Sequence, residues 1–154
     1  MTLVLAYDLA DEIRRHAEAT YPEEAAGLLL GTVEDGDRRR ITQVISLANH
    51  WEAEARHHRY RLEPRDLIAA EDRAELEGLM ILGIFHSHPD HPAQPSAFDL
   101  DQALPFYTYL ITRVDSGAAV ESHAWRLAED RSRFDREILD LPAHNLPAHR
   151  RGKP

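Results

Sequence analysis

The chain contains no cysteine. That absence excludes disulfides, thiolate metal sites, CxxC redox chemistry and a cysteine nucleophile together. Any metal must be held by nitrogen and oxygen. Excess positive charge is also lacking: 27 Asp and Glu face 18 Lys and Arg, a formal net charge of −9, which argues against a nucleic-acid binder. No apolar stretch approaches the roughly 20 residues needed to cross a bilayer. The opening Met1-Thr-Leu-Val-Leu-Ala-Tyr-Asp8 has no basic segment ahead of its short apolar run, so it does not read as a signal peptide. These absences set the expectation of a cytoplasmic protein with neither membrane nor nucleic acid as partner.

What is present fits one domain, since 154 residues leave little over for a second. The domain is expected over 1–140. The remainder, 141–154, reads as a disordered, solvated tail in which Leu141-Pro-Ala-His144 recurs as Leu146-Pro-Ala-His149 ahead of Arg150, Arg151 and Lys153. Residues 2–6 suit a first strand, and Asp8 suits a helix cap with Leu9, Ile13 and Ala17 on one face. That helix should stop before Tyr21-Pro22. The apolar run 25–30, closed by Gly31, reads as a buried strand, and 40–47 as its hairpin partner after the turn Glu34-Asp-Gly-Asp37.

Pro64 opens a helix to about Glu77, with Gly78 as its stop. Met80–Phe85 is almost wholly apolar, as a strand covered on both faces should be. A proline-rich loop (88–95), a short helix to about Leu104 and strands over 106–114 and 118–127 follow. The segment 130–140 is ambiguous between helix and edge strand. Strands alternating with helices indicate an α/β sandwich built on a mixed sheet.

The chemistry concentrates in His86-Ser-His88-Pro, followed by Ser96-x-x-Asp99. Side chains two apart on an extended backbone point the same way, so His86 and His88 present both imidazoles on one side. They stand at the end of a buried strand, where α/β proteins place ligands. Asp99, in the first turn of the following helix, adds a carboxylate. Three protein ligands leave zinc a fourth position for water, the arrangement of a catalytic site. Water so held has its pKa lowered to about 7.

A carboxylate must then carry the proton from that water to a leaving amine. Glu24, at the entrance of the strand 25–30, is the candidate, although spacing alone leaves Glu23 and Glu71 open beside it. Ser96 has two readings: with Asp99 it fits the S-x-x-D helix cap, or its hydroxyl faces a tetrahedral oxyanion. An Asp99 that holds metal is expected to be less free to cap.

A single histidine is more often structural or solvent-facing than a ligand, which is the reading given to His16, His50, His123, His144 and His149. His57 and His58 are adjacent and should point apart in an extended loop. His91 lies in the site loop and is expected to be exposed. An H-x-H pair alone is weak evidence. Six fixed positions at set spacing, by contrast, arise by chance on the order of once per million chains of this length.

His86-Ser-His88-Pro with Ser96-x-x-Asp99 resembles the signature of the JAMM, or MPN-plus, metalloprotease family. In that family the upstream glutamate sits in the form E-x-x-G-L, here Glu24-Ala-Ala-Gly27-Leu28, which selects Glu24 over Glu23. The likeness runs over roughly 3–127 and includes the Arg-Tyr-x-Leu-x-Pro stretch near Tyr60 and the strand near Tyr109. It implies a fold like that of cytidine deaminase, a curved sheet between helices in three layers. It also implies one zinc per chain on His86, His88 and Asp99, with Glu24 and Ser96 as catalytic residues.

The resemblance further implies hydrolysis of a peptide or isopeptide bond at the C-terminus of a ubiquitin-like protein. The compact form is similar to bacterial enzymes that process sulfur-carrier proteins with Gly-Gly tails. It departs from the family in lacking long insertion loops that grip a second ubiquitin, and in Ala25-Ala26 where many relatives carry Cys. Two other classes remain open beside the peptidase: a small-molecule amidohydrolase with an enclosed pocket, and a non-catalytic partner-binding module stabilised by zinc.

Overall fold

A computed structural model describes residues 1–144. The proposed repeat at Leu146–His149 and the cationic cluster 150–153 lie outside the described residues. Elements follow the order β1 (Thr2–Leu5), α1 (Tyr7–Thr20), β2 (Ala26–Glu34), β3 (Arg38–Leu47), a 3-10 turn (Ala53–Ala55), α2 (Pro64–Leu76), β4 (Met80–Pro89), α3 (Ala97–Gln102), β5 (Thr108–Asp115), β6 (Ala118–Leu127) and β7 (Phe134–Asp140).

The expected mixed sheet is present, in the order β1-β3-β2-β4-β5-β6-β7. Its hairpins pair antiparallel, while β4 runs parallel to β5. The sheet closes on itself because β1 pairs in parallel with both β3 and β7. Closure depends on β7, the segment whose pattern left helix and edge strand both open. With β6 on one side and β1 on the other, β7 is no edge.

The two faces of the sheet carry separate cores, as the period of two requires. Leu29, Phe85 and Leu110 pack with Leu3, Leu5 and with Ile13 of α1. Leu28, Leu30, Ile84 and Tyr109 pack with Ala70 and Ala74 of α2. One helix therefore covers each face, and β2 and β4 are buried between them.

Several boundaries differ from the sequence reading. Helix α1 begins at Tyr7 with Ala6 as its N-cap and no side-chain cap, so Asp8 lies inside the first turn and not at the cap. Strand β2 runs through Gly31 to Glu34, because Gly31 lies where a Cβ would meet the Arg40 carbonyl at 1.8 Å and so permits close pairing with β3. Strand β4 runs on through both histidines to Pro89, and α3 stops at Gln102, short of Leu104. Gly78, at φ 68°, does follow the end of α2. At the far end, the Pro142 carbonyl accepts the Tyr7 N–H at 2.9 Å, fastening the chain after β7 to the start of α1. No helix among the described residues is long and apolar enough to cross a membrane.

Candidate metal centre

Three strands of sequence converge at the C-terminal end of β4. Because β4 stays extended through Pro89, His86 and His88 point to one side, and their Nε2 atoms lie 3.2 Å apart. Helix α3 brings the third group. Asp99 Oδ1 lies 3.3 Å from His86 Nε2, and Oδ2 lies 3.1 Å from His88 Nε2. All three residues are buried. For bond lengths of about 2.0–2.2 Å to a tetrahedral zinc, ligand atoms should be separated by about 3.3 Å, and the triangle of 3.1–3.3 Å matches that edge.

Hydrogen bonding supports the same reading. His88 Nδ1 meets the Pro92 carbonyl at 2.7 Å, and a carbonyl only accepts, so Nδ1 carries the proton. In the neutral ring Nε2 then presents a lone pair. That lone pair faces Asp99 Oδ2 at 3.1 Å, and the carboxylate is itself an acceptor. Two acceptors at this range repel unless a shared cation lies between them. His86 Nδ1 is buried with no hydrogen-bond partner among the described residues, and its ring is stacked on Tyr60 at 4.6 Å. The donor set, two imidazoles and one carboxylate with no sulfur, suits zinc among several divalent metals.

The loop that delivers Asp99 is clamped along its length. Asp90 accepts from the Tyr21 hydroxyl at 2.7 Å and from the Ser116 N–H at 2.8 Å. Pro92 is held by His88, and the Ala93 carbonyl accepts from Trp125 Nε1 at 3.1 Å. Ser96 closes the loop as the N-cap of α3, its hydroxyl accepting from Asp99 N–H while the Asp99 carboxylate accepts from Ser96 N–H. Capping does not turn the Asp99 carboxylate away from the histidines. Asp99 Oδ2 takes the Ser96 N–H and still faces His88, while Oδ1 remains for His86. Burial pushes the Asp99 carboxyl up, but with proton-bearing His86 and His88 imidazoles facing it in place of a cation, they and the Ser96 N–H outweigh it and hold the group well below the usual carboxylate range.

Glu24 comes from the residues just before β2. Its carboxylate and a ring nitrogen of His88 and of His91 all lie within 4.8 Å of one another. Neither Glu23 nor Glu71 joins such a group among the described residues. Only 2% of Glu24 is exposed. Burial pushes its carboxyl up to about 8, against the opposing pull of His88 and with a further push from Asp99. A cation placed in the triangle acts in the lowering direction.

The backbone around Glu24 is fixed by groups that sequence reasoning missed. Asn49 donates to the Glu24 carbonyl at 3.0 Å and to the Arg59 carbonyl at 2.8 Å, while its oxygen accepts from Trp51 and Arg61 N–H. The Glu24 N–H donates to the Arg56 carbonyl at 2.7 Å. Ser87, between the two histidines, accepts the Ala25 N–H at 2.8 Å. Gly27 lies where a Cβ would come within 2.2 Å of the Ile45 carbonyl and 2.3 Å of the Phe85 ring. The glycine thus lets β2 sit close enough to β4 to carry Glu24 to the histidines.

His91, His57 and His58 fall differently from expectation, whereas His50 and His123 do not. His91 is half-buried, stacked on His88 at 4.0 Å between ring centroids, where exposure was expected. His57 and His58 do not point apart. Their rings are 4.2 Å apart, because this stretch is turned and not extended. His50 faces Glu63 and Asp66, and His123 faces Glu121.

Comparison with known proteins agrees with this geometry. The family model for prokaryotic homologues of the JAB domain matches residues 7–128. A desampylase of Haloferax volcanii is 34% identical over 128 residues, covering 80% of this chain and 87% of that one. A probable TtuB-protein conjugate cleaving protease of Thermus thermophilus is 34% identical over 115 residues, covering 75% and 72%. A solution structure of a protein from Desulfitobacterium hafniense superposes with a TM-score of 0.79 at 31% identity, covering 94% of each chain. The expected resemblance, fold and homology to JAMM-type metalloproteases therefore stand, and the chain belongs to the prokaryotic JAB-domain family.

Proposed function

We propose that this chain is a zinc peptidase that hydrolyses the peptide or isopeptide bond following the Gly-Gly tail of a ubiquitin-like, sulfur-carrier type of protein. The observation that carries the reading is the triangle of His86, His88 and Asp99, with the Glu24 carboxylate within 4.8 Å of a His88 ring nitrogen. The two relatives support the substrate class: one is named as a desampylase and the other as cleaving TtuB-protein conjugates.

In this reading His86, His88 and Asp99 hold one zinc per chain. When bound, zinc acts as a Lewis acid on the scissile carbonyl and lowers the pKa of water to about 7. Glu24 takes the proton released on attack and returns it to the departing amine, as base and then acid. Burial suits it to the second duty, because a desolvated carboxyl favours the protonated form. Ser96 retains its hydroxyl proton while its oxygen accepts from Asp99 N–H, so it can donate to the developing oxyanion. The Pro92 carbonyl fixes the ring of His88.

Burial of all four groups favours a substrate that enters as a thin extended chain, and glycine is the residue that fits. The test is hydrolysis of Gly-Gly-terminated carrier fusions against small amides. Cleavage of the former after the second glycine is expected. Turnover of small amides alone would favour the amidohydrolase, and hydrolysis of neither would favour the binding module.

A further inference from the structure

We infer that the arginine–aromatic cluster of Trp51, Arg59, Arg61 and Phe98 is a seat for the acidic flank of the substrate's tail, an inference that rests on the peptidase reading. The run Arg56-His-His-Arg59-Tyr-Arg61 holds three guanidinium groups, two imidazoles and no acid, in a chain of net charge −9. Elsewhere guanidinium groups divide between those that face carboxylates, such as Arg38 with Asp140 at 2.7 Å, Arg126 with Asp37 at 2.7 Å and Arg133 with Asp135 at 3.0 Å, and scattered ones that bond a carbonyl or an imidazole instead, such as Arg131 and Arg136. Among the described residues neither Arg59 nor Arg61 forms an ion pair, although 27 acids are available in the sequence.

They are held by ring faces instead. The Arg59 guanidinium lies 4.9 Å from the Phe98 centroid and 5.6 Å from that of Trp51, and Arg61 lies 5.7 Å from Trp51. Trp51 and Phe98 meet edge to face at 5.5 Å. Stacking fixes a guanidinium plane while leaving its N–H edge open to fork a carboxylate. Arg61 spends one nitrogen on the His50 carbonyl, at 2.9 Å. A purely structural cap over two aromatic rings accounts for the stacking. It does not account for three guanidinium groups gathered in one short acid-free run beside the proposed metal site on an acidic protein.

The cluster borders the proposed metal site. Phe98 immediately precedes Asp99, and the Arg59 carbonyl shares the Asn49 amide with the carbonyl of Glu24. The catalytic groups are buried, so only an extended tail reaches them and the residues beside that tail rest on this rim. A field of net negative sign repels an acidic ligand at long range. Such a ligand therefore needs a local cationic contact, whereas a neutral or basic one needs none. Exposed Glu52 and Glu54 in the preceding turn pair with neither arginine among the described residues.

The test uses two fluorescent ten-residue peptides ending in Gly-Gly, one with Asp and Glu upstream and a twin with Ser at those positions. Binding is read by anisotropy at low salt, and cleavage is read separately with a fluorogenic amide after the second glycine. Wild-type protein should bind the acidic peptide about tenfold tighter or more. Arg59→Ser with Arg61→Ser should erase the preference without weakening binding of the Ser twin, and Arg59→Lys should fall between. Arg133→Ser, a control on an exposed paired arginine, should change nothing. Equal binding of the two peptides by wild type, or a preference surviving the double substitution, would overturn the inference. A preference present without cleavage of either peptide would leave the seat standing and count against the peptidase reading.

Discussion

At the scale of single residues, the roles proposed for Glu24 and His88 differ in what holds each side chain. His88 is oriented by a backbone carbonyl, which leaves one lone pair free for a cation. Among the described residues Glu24 is held through its backbone, by Asn49 and Arg56, which leaves its carboxylate for the proposed proton exchange. Glu24→Gln keeps shape and removes that exchange. Turnover of a Gly-Gly fusion should fall by about 10²–10⁴-fold, while zinc content measured by mass spectrometry stays at the wild-type level. Turnover within a few-fold of wild type would displace Glu24 as the base. The residues proposed to bear chemistry could be picked out in the sequence because metal ligands need particular atoms at particular spacings. Asn49, Pro92 and Tyr60 were not legible in these roles. They act through a side-chain amide, a carbonyl and a ring face that depend on how distant segments meet, and no local pattern marks them.

Elements place these residues. The alternation of β2 between two cores, its hairpin with β3 and the apolar β4 could all be read from periodicity. The reach of β4 through His88 could not, because polar residues at 86–88 look like a loop unless the proposed metal site accounts for their burial. β7 was ambiguous for a similar reason: its alternation is broken by charges, and Glu137 is buried only because Arg126 and Thr108 bond it. Gly27→Ala should force β2 away from β3 and β4, costing about 1–3 kcal/mol. At about 2–4 °C per kcal/mol for a chain of this size, a thermal melt should show the loss, and an unchanged melt would refute the close approach. Trp125→Phe removes the hydrogen bond to the Ala93 carbonyl but keeps an aromatic ring. The fold should survive with a melting point lowered by a few degrees at most, and zinc affinity should weaken as the loop bearing Asp99 loosens. Unchanged zinc affinity would show that the clamp is dispensable.

On the scale of the whole molecule, the sheet closes and charge ties its ends. Arg126 reaches both oxygens of Asp37 at 2.8 and 2.7 Å, joining the β2–β3 turn to β6. That hydrogen bond holds the Asp37 carboxyl below its ordinary value of 3.8. A lowered folded-state pKa contributes stability above the unfolded value and loses it as pH falls through the folded one. Asp37 is half-exposed, so the contribution is only about 0.2–1 kcal/mol. Asp37→Asn should therefore melt slightly below wild type at pH 7, and the two curves should converge as pH falls through the lowered folded-state value. A constant gap across that range would assign the loss to something other than ionisation.

The most direct test of the account is calorimetric titration of zinc into metal-free protein. One zinc per chain is expected for wild type and for Glu24→Gln, with binding abolished by His86→Ala, His88→Ala or Asp99→Ala in variants that keep the wild-type circular dichroism. Undiminished binding in a folded His88→Ala or Asp99→Ala variant would contradict it.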